Sequence, residues 1–326
     1  MTAMAPRACL VTGVAGFIGS TLAERLLDAG HTVVGVDALT DYYAPELKRR
    51  NLKELLGRPG FSFHEENLLT ANLSERLRAI DVVYHLAAQP GVRKSWGSTF
   101  ATYLDNNVAA TQRLLEAVRE VPVSRFVFAS SSSVYGTATE LPVHETTLPR
   151  PISPYGVTKL AAEHLCSVYA QAFGVPAVSL RYFTVYGPRQ RPDMAFNRFV
   201  RAIIEGDQIE LYGDGEQTRD FTFVSDAVAA TLAAANADMD TRKAPVYNVG
   251  GDSRVSVNHV IRLLERIIGK PARIARQPAQ PGDARDTYAD CSAARADLGY
   301  RPSVGLDRGL EAMVRWHAFP LAVEAR

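Results

Sequence analysis

Short, continuous apolar runs alternate with stretches of helical period through the first half of the chain. Residues 8–12, 31–37, 61–64, 81–86, 125–129 and 176–181 are such runs, and each reads as a strand. Between them, helical patterns follow the glycine segment at 13–19 through Leu27, span about residues 104–119, and begin again at Tyr155. Strands that are apolar throughout, rather than alternating, are covered on both faces, so the pattern predicts an α/β protein with a doubly wound parallel sheet. After residue 181 the rhythm changes to shorter segments broken by Gly187-Pro188, Gly213-Asp214-Gly215, Gly250-Gly251 and Pro281-Gly282-Asp283. We therefore expect a first domain over 1–180 and a smaller, mixed α/β domain over 181–326, which would bind the substrate. The run Val246-Tyr247-Asn248-Val249 is the exception, a strand near 246–250 expected to return to the first sheet. No internal repeat, heptad or low-complexity tract is present.

Composition narrows the function classes. With 326 residues, 47% hydrophobic and 22% charged, the chain is of ordinary globular composition. A formal net charge of +1 supplies no global field for nucleic acid or a membrane surface, so an anionic ligand must be held by local groups. Cys9, Cys166 and Cys291 are odd in number and far apart, which points to free thiols and to neither a disulfide frame nor a metal site. Residues 1–10 leave no room for a signal peptide before the glycine motif, and no apolar run approaches the roughly 20 residues of a membrane span. A cytoplasmic protein is expected.

The candidate chemistry begins with Tyr155 and Lys159. Spaced i, i+4 at the start of a helix, they share one face. Ser153 suits the N-cap and Pro154 the first turn, which fixes where the helix begins. A phenol titrates near ~10 in water, and an adjacent cation lowers it by ~1–3 units, toward the range of a general base. Gly13, Gly16 and Gly19 lie between the first strand and first helix, and Asp37 ends the second strand. Glycines so placed allow a tight turn, close approach to a pyrophosphate and close helix packing, with the helix N-terminus facing the phosphates. A carboxylate at Asp37 bonds both ribose hydroxyls and repels a 2′-phosphate, so the cofactor expected of this Rossmann-type unit is NAD rather than NADP. His85-Leu86-Ala87-Ala88-Gln89 offers small residues along which the cofactor would lie. Asn107 is either an inward residue shaping backbone or a solvated amide.

With these pieces in place, the chain resembles the extended short-chain dehydrogenase/reductase family of nucleotide-sugar epimerases and dehydratases. The markers are Thr12-Gly13-Val14-Ala15-Gly16-Phe17-Ile18-Gly19, Ser130-Ser131-Ser132-Ser133-Val134-Tyr135-Gly136, Tyr155 with Lys159, the stretch from Leu180 to Pro188, and Arg219-Asp220-Phe221-Thr222-Phe223-Val224. The resemblance implies that Tyr155 is the base, that Lys159 holds the nicotinamide ribose, and that Ser131 bonds the sugar O4. It also places Phe17, Ile18, Asn67, Leu68, Leu86, Ala87 and Ala88 at the cofactor.

Within that family, dehydratases carry an Asp-Glu pair just before the Val-Tyr-Gly segment, and UDP-glucuronate decarboxylases a Glu. This chain has Ser132 and Ser133, which can donate to a carboxylate but are poor proton acceptors. A plain epimerase is then implied. The stretch from Tyr182 to Ala195, residues 87–93 and residues 41–48 look most like UDP-glucuronate 4-epimerases. By that likeness Thr184, Ser132, Ser133 and Arg191 would surround a C6 carboxylate, for which an arginine fork is well suited. Arg219 is implied as a diphosphate contact, Arg285 as a second, and Arg93 as a further substrate contact. Residues 208–211 look like the strand flanking the uracil. Two departures stand out: Asn67 replaces a common Asp, and Pro90 a common Ala or Lys.

The reading is an NAD-dependent C4 epimerase interconverting UDP-glucuronate and UDP-galacturonate. Its rivals are a 4-epimerase of neutral UDP-hexoses (UDP-glucose or UDP-N-acetylglucosamine), a reductase that releases its cofactor, and a non-catalytic NAD-binding member. Apolar residues on the outer helix faces, among them Leu165, Val168 and Tyr169, imply a homodimer as in relatives.

Overall fold

The apolar runs become the strands of one sheet. The structure is a computed structural model describing residues 5–318. The chain runs β1 (Ala8–Thr12), α1 (Phe17–Asp28), β2 (Thr32–Asp37), α2 (Pro45–Leu56), β3 (Phe61–Glu65), the short α3 (Leu73–Arg76), β4 (Val82–His85), α4 (Phe100–Tyr103) and α5 (Ala110–Glu120). There follow β5 (Arg125–Ser131), α6 (Pro154–Phe173), β6 (Ala177–Tyr182), β7 (Val185–Tyr186), α7 (Ala195–Glu205), β8 (Gln208–Tyr212), β9 (Thr218–Asp220), β10 (Thr222–Phe223) and α8 (Val224–Asn236). The remainder is β11 (Val246–Val249), β12 (Arg254–Ser256), α9 (Val257–Ile268), β13 (Arg273–Gln277), α10 (Ser292–Leu298) and α11 (Leu306–Ala318).

Seven strands pair in parallel in the order β11-β6-β5-β4-β1-β2-β3. Every residue of β4 and β6 is buried, as strands covered on both faces require. Helices α1, α2 and α8 lie over one face and α3, α5 and α6 over the other, each face closing its own apolar cluster. A third cluster gathers α7, α9 and α11 against β8. From β1 the chain winds to β2 on one side and later resumes at β4 on the other. The crevice beyond the strand ends opens at that reversal. The run at 246–249 does join the sheet, as its edge strand beside β6, and α8 returns with it. The smaller remainder contains three two-stranded ladders, β10 with β7, β12 with β9 and β13 with β8.

Two local expectations change, and one helix appears that the apolar pattern did not announce. The single helix over 104–119 is interrupted, because Leu104–Ala109 forms a π-helical turn joining α4 to α5. Helix α2 carries no clear apolar stripe; its buried residues are Lys48, Asn51, Leu52 and Leu55. Tyr169 is not on an outer face but buried, its hydroxyl taken up by Glu116 and Gln112, while Leu165 is half-buried and Val168 exposed.

Candidate cofactor and substrate site

The turn from β1 into α1 is built so closely that side chains are excluded. Gly13 has φ +71, and a Cβ there would lie 2.8 Å from the Ala87 nitrogen; at Gly19 a Cβ would lie 2.1 Å from the Gly13 carbonyl. Asp37, at the end of β2, accepts from Leu39 N at 2.9 Å and Ala15 N at 3.1 Å. Burial raises its carboxyl above the usual range, partly offset by those amides and by Lys48.

Behind the second wall, His85 is fully enclosed, with Nδ1 2.8 Å from Thr12 Oγ1 and Nε2 2.9 Å from Thr111 Oγ1. The Thr111 hydroxyl donates to the Asn107 carbonyl at 2.7 Å, so it accepts from His85. The proton is therefore assigned to Nε2, and Nδ1 accepts from Thr12, which in turn accepts from Ala87 N at 3.2 Å. Burial, with Lys159 nearby, pushes the imidazole down to about 3. Asn107, on the π-helical turn, is an inward residue: it accepts from Gln89 N at 2.6 Å and donates to Gln89 O and to Thr158 Oγ1, at 3.1 and 3.0 Å. The cofactor-facing loop and helix α6 are thus held by one amide.

These walls enclose a cavity of about 230 Å³ lined by Gly13, Gly16, Phe17, Ile18, Gly19, Asp37, Asn67, Leu68, Leu86, Ala87, Ala88, Tyr155 and Lys159. The glycine cradle, the terminal carboxylate and the buried cation fit a dinucleotide. Tyr42, Tyr43 and Lys48 also line it, and sequence reasoning did not assign them there. Lys48 is buried, donating to the Thr40 carbonyl at 2.7 Å, in a helix too polar to announce an inward face.

Tyr155 occupies the first turn of α6, with Ser153 capping through Gly156 N at 3.1 Å. Ser131 Oγ accepts from Ser133 N at 3.1 Å, which leaves its own proton to donate. Burial raises the Tyr155 phenol above its ordinary value; the Ser131 hydroxyl and the Arg191 cation act to lower it. The expectation that Lys159 sets a lowered phenol is corrected here. Its ammonium lies over the Phe128 ring at 4.5 Å, and desolvation outweighs the groups that favour phenolate. Lys159 itself is pushed down to about 8 by burial, against Cys166 and Glu163.

A second cavity of about 620 Å³ adjoins, lined by Arg93, Thr184, Arg219, Phe199, Glu210 and Leu211 among others. Arg93 pairs with Asp283 at 2.7 Å and stacks over Tyr212 at 4.1 Å. Arg219 is half-buried, donating to the carbonyls of Thr218 and Arg285 at 2.9 and 2.7 Å. Arg285 is not brought in: its side chain is exposed and pairs with Asp214 at 3.0 Å. Ser132 and Ser133 sit half-buried on the turn after β5 and belong to the lining of neither cavity. Arg191 lines the first cavity and is gripped by Asp193, a residue the sequence did not single out. Among the described residues no cluster of metal-ligating side chains occurs.

Comparison with known proteins agrees with this geometry. The model of the NAD dependent epimerase/dehydratase family matches residues 9–250. A Bacillus subtilis protein named as an uncharacterized UDP-glucose epimerase, YtcB, is 49% identical over 308 residues, 92% of this chain and 95% of that one. A UDP-glucuronate 4-epimerase of Thermodesulfobacterium geofontis is 38% identical over 94% of this chain and 95% of its own. The crystal structure of a UDP-glucuronic acid 4-epimerase from Bacillus cereus, in complex with UDP-glucuronic acid and NAD, superposes with a TM-score of 0.92 and 46% identity. It covers 95% of this chain and 98% of that one.

Proposed function

The chain belongs to the NAD dependent epimerase/dehydratase family, and from that premise we propose that it interconverts UDP-glucuronate and UDP-galacturonate by reversible oxidation at C4. When bound, NAD supplies a hydride acceptor at C4 and, once reduced, the hydride donor that restores it. The chain's own part is proton and charge management. Tyr155 removes the O4 proton, with Ser131 donating to the same oxygen, and Lys159 holds the adjoining ribose. Arg219 and Arg93 anchor the diphosphate while the 4-keto sugar turns, and Tyr155 returns the proton on the other face. Thr184 and Arg191 hold the C6 carboxylate. A 4-keto uronate is a β-keto acid, prone to lose CO₂, and a held carboxylate resists that loss.

The observation that carries this reading is the placement of Arg191 in the wall of the cofactor cavity beside Tyr155, paired with Asp193 of the adjoining substrate cavity. Incubating the NAD-loaded protein with UDP-glucuronate and separating the nucleotide sugars should give UDP-galacturonate with no net change in nicotinamide absorbance. A pentose product, or an unchanged C4, sinks the proposal. A second reading, 4-epimerisation of UDP-glucose, draws on the name carried by the Bacillus subtilis relative; in that case UDP-glucose turns over and Arg191→Ala leaves the rate unchanged.

The same proposal includes a homodimer and a cytoplasmic location. Val157 and Val168 are 47 and 55% exposed on one side of α6, with Ala161 between them, an apolar strip that a second copy would cover. All three thiols are free and buried, and no described helix is long and apolar enough to cross a membrane. Light scattering at twice the chain mass would support the dimer, and a monomer would refute it.

A further inference from the structure

Tyr42, Asp193 and Arg191 meet where the two cavities adjoin. Arg191 Nε and Nη2 each lie 3.0 Å from a different oxygen of Asp193, and Tyr42 donates its hydroxyl to Asp193 Oδ2 at 3.2 Å. Arg191 lines the cofactor cavity, Asp193 the substrate cavity, and Tyr42 both. The grip uses one edge of the guanidinium and leaves Nη1 uncommitted among the described residues.

Tyr42 is itself seated. A Cβ on Gly91 would come within 2.3 Å of its hydroxyl, so only glycine admits the phenol there. The carbonyls of Pro90 and Gly91 are held in turn by Tyr103, at 2.9 and 2.8 Å, and the Tyr103 ring meets Tyr155 edge-on with centroids 6.3 Å apart. Segments following β2, β4 and β7 are thereby tied together above the phenol of Tyr155.

We propose that Asp193 is a specificity-determining residue that acts through Arg191. It fixes the guanidinium with its free edge available to a substrate carboxylate, and Tyr42 holds Asp193 in place. A long arginine side chain on a loop would otherwise have to be ordered by the substrate itself, and a fixed fork loses less freedom on binding. The paired charge also moderates the attraction, so that a carboxylate can be let go when the ring turns. A neutral hexose gains nothing from this arrangement. The inference rests on the uronate reading above.

The test is calorimetric titration of NAD-loaded protein with UDP-glucuronate and with UDP-glucose, alongside the NAD content of each purified variant. Asp193→Ala should lower the preference for UDP-glucuronate by about tenfold, on the scale of one charge-assisted hydrogen bond. Tyr42→Phe should lower it by about threefold, the preference being read as the ratio of the two affinities in protein of matched NAD content. Asp193→Asn, which keeps one acceptor, should fall between Asp193→Ala and the parent. If Asp193→Ala weakens both sugars equally, its role is structural and the inference fails. If Arg191→Ala abolishes the preference while Asp193→Ala preserves it, this inference alone is overturned. If Arg191→Ala preserves it too, the uronate reading falls with it.

Discussion

Glu163 and Arg181 form an ion pair inside the protein, Arg181 Nε lying 3.0 Å from Glu163 Oε2, with the two side chains 7% and 5% exposed. Ser130 donates to the same carboxylate oxygen at 2.7 Å, and Arg181 Nη1 donates to the Tyr135 hydroxyl at 2.7 Å, whose proton goes to Asn248 Oδ1. The pair thus ties α6, one turn beyond Lys159, to β5, β6 and β11. Removing one partner strands the other charge where water cannot reach it. Glu163→Ala is expected to cost about 3–5 kcal/mol, read from urea unfolding; a loss under about 1 kcal/mol would show the pair to be dispensable.

Tyr155→Phe removes the hydroxyl proposed to take the O4 proton while leaving the ring in its place against Tyr103. Turnover should fall by about 10²–10⁴-fold, the usual contribution of general acid–base catalysis, with nucleotide-sugar affinity nearly unchanged. Retained turnover would move the base elsewhere.

His85 makes stability depend on acid. Its folded value is about 3, and an unfolded histidine titrates near ~6.5. Between those values the unfolded chain binds the extra proton. Stability from this group is therefore complete above about pH 6.5 and falls by ~1.4 kcal/mol per unit as pH drops toward 3. Urea unfolding of the parent from pH 7.5 to 5 should show a steeper loss than His85→Asn. Parallel curves would mean the imidazole is not held neutral.

Asp37→Asn keeps the hydrogen bonds to the turn in part but removes the charge that repels a 2′-phosphate. Affinity for NAD should drop by about tenfold and the preference for NAD over NADP should narrow, as measured by quenching titrations with each cofactor. An unchanged ratio would place cofactor choice outside Asp37.

The sheet was legible because strands covered on both faces are mostly apolar, and β6 and β11 kept that signature although Arg181 and Asn248 are buried within them. The glycine turn was legible for a steric reason, since side chains at Gly13 and Gly19 collide with backbone. Helix α2 was not, because two of its four buried residues, Lys48 and Asn51, are polar and are satisfied by Thr40 and the Ala15 carbonyl. The Tyr42–Asp193 contact joins residues 151 apart in sequence, and no local pattern reports it. Lys159 shows a subtler limit. Spacing put the cation beside the phenol, but only three dimensions show that burial dominates both groups.

The π-helical turn at Leu104–Ala109 has a consequence for which changes this chain tolerates. A wide turn holds one residue more than an ordinary one, so what precedes it is wound about 100° less around the axis than a straight helix would place it. Tyr103 faces Tyr155 on one side of that extra residue, and α5 packs on the sheet on the other. Point substitutions leave this phase intact. Deleting a single residue other than Asp105 within 104–109 resets it, swinging Tyr103 off the Tyr155 ring while every strand and every charged group remains present.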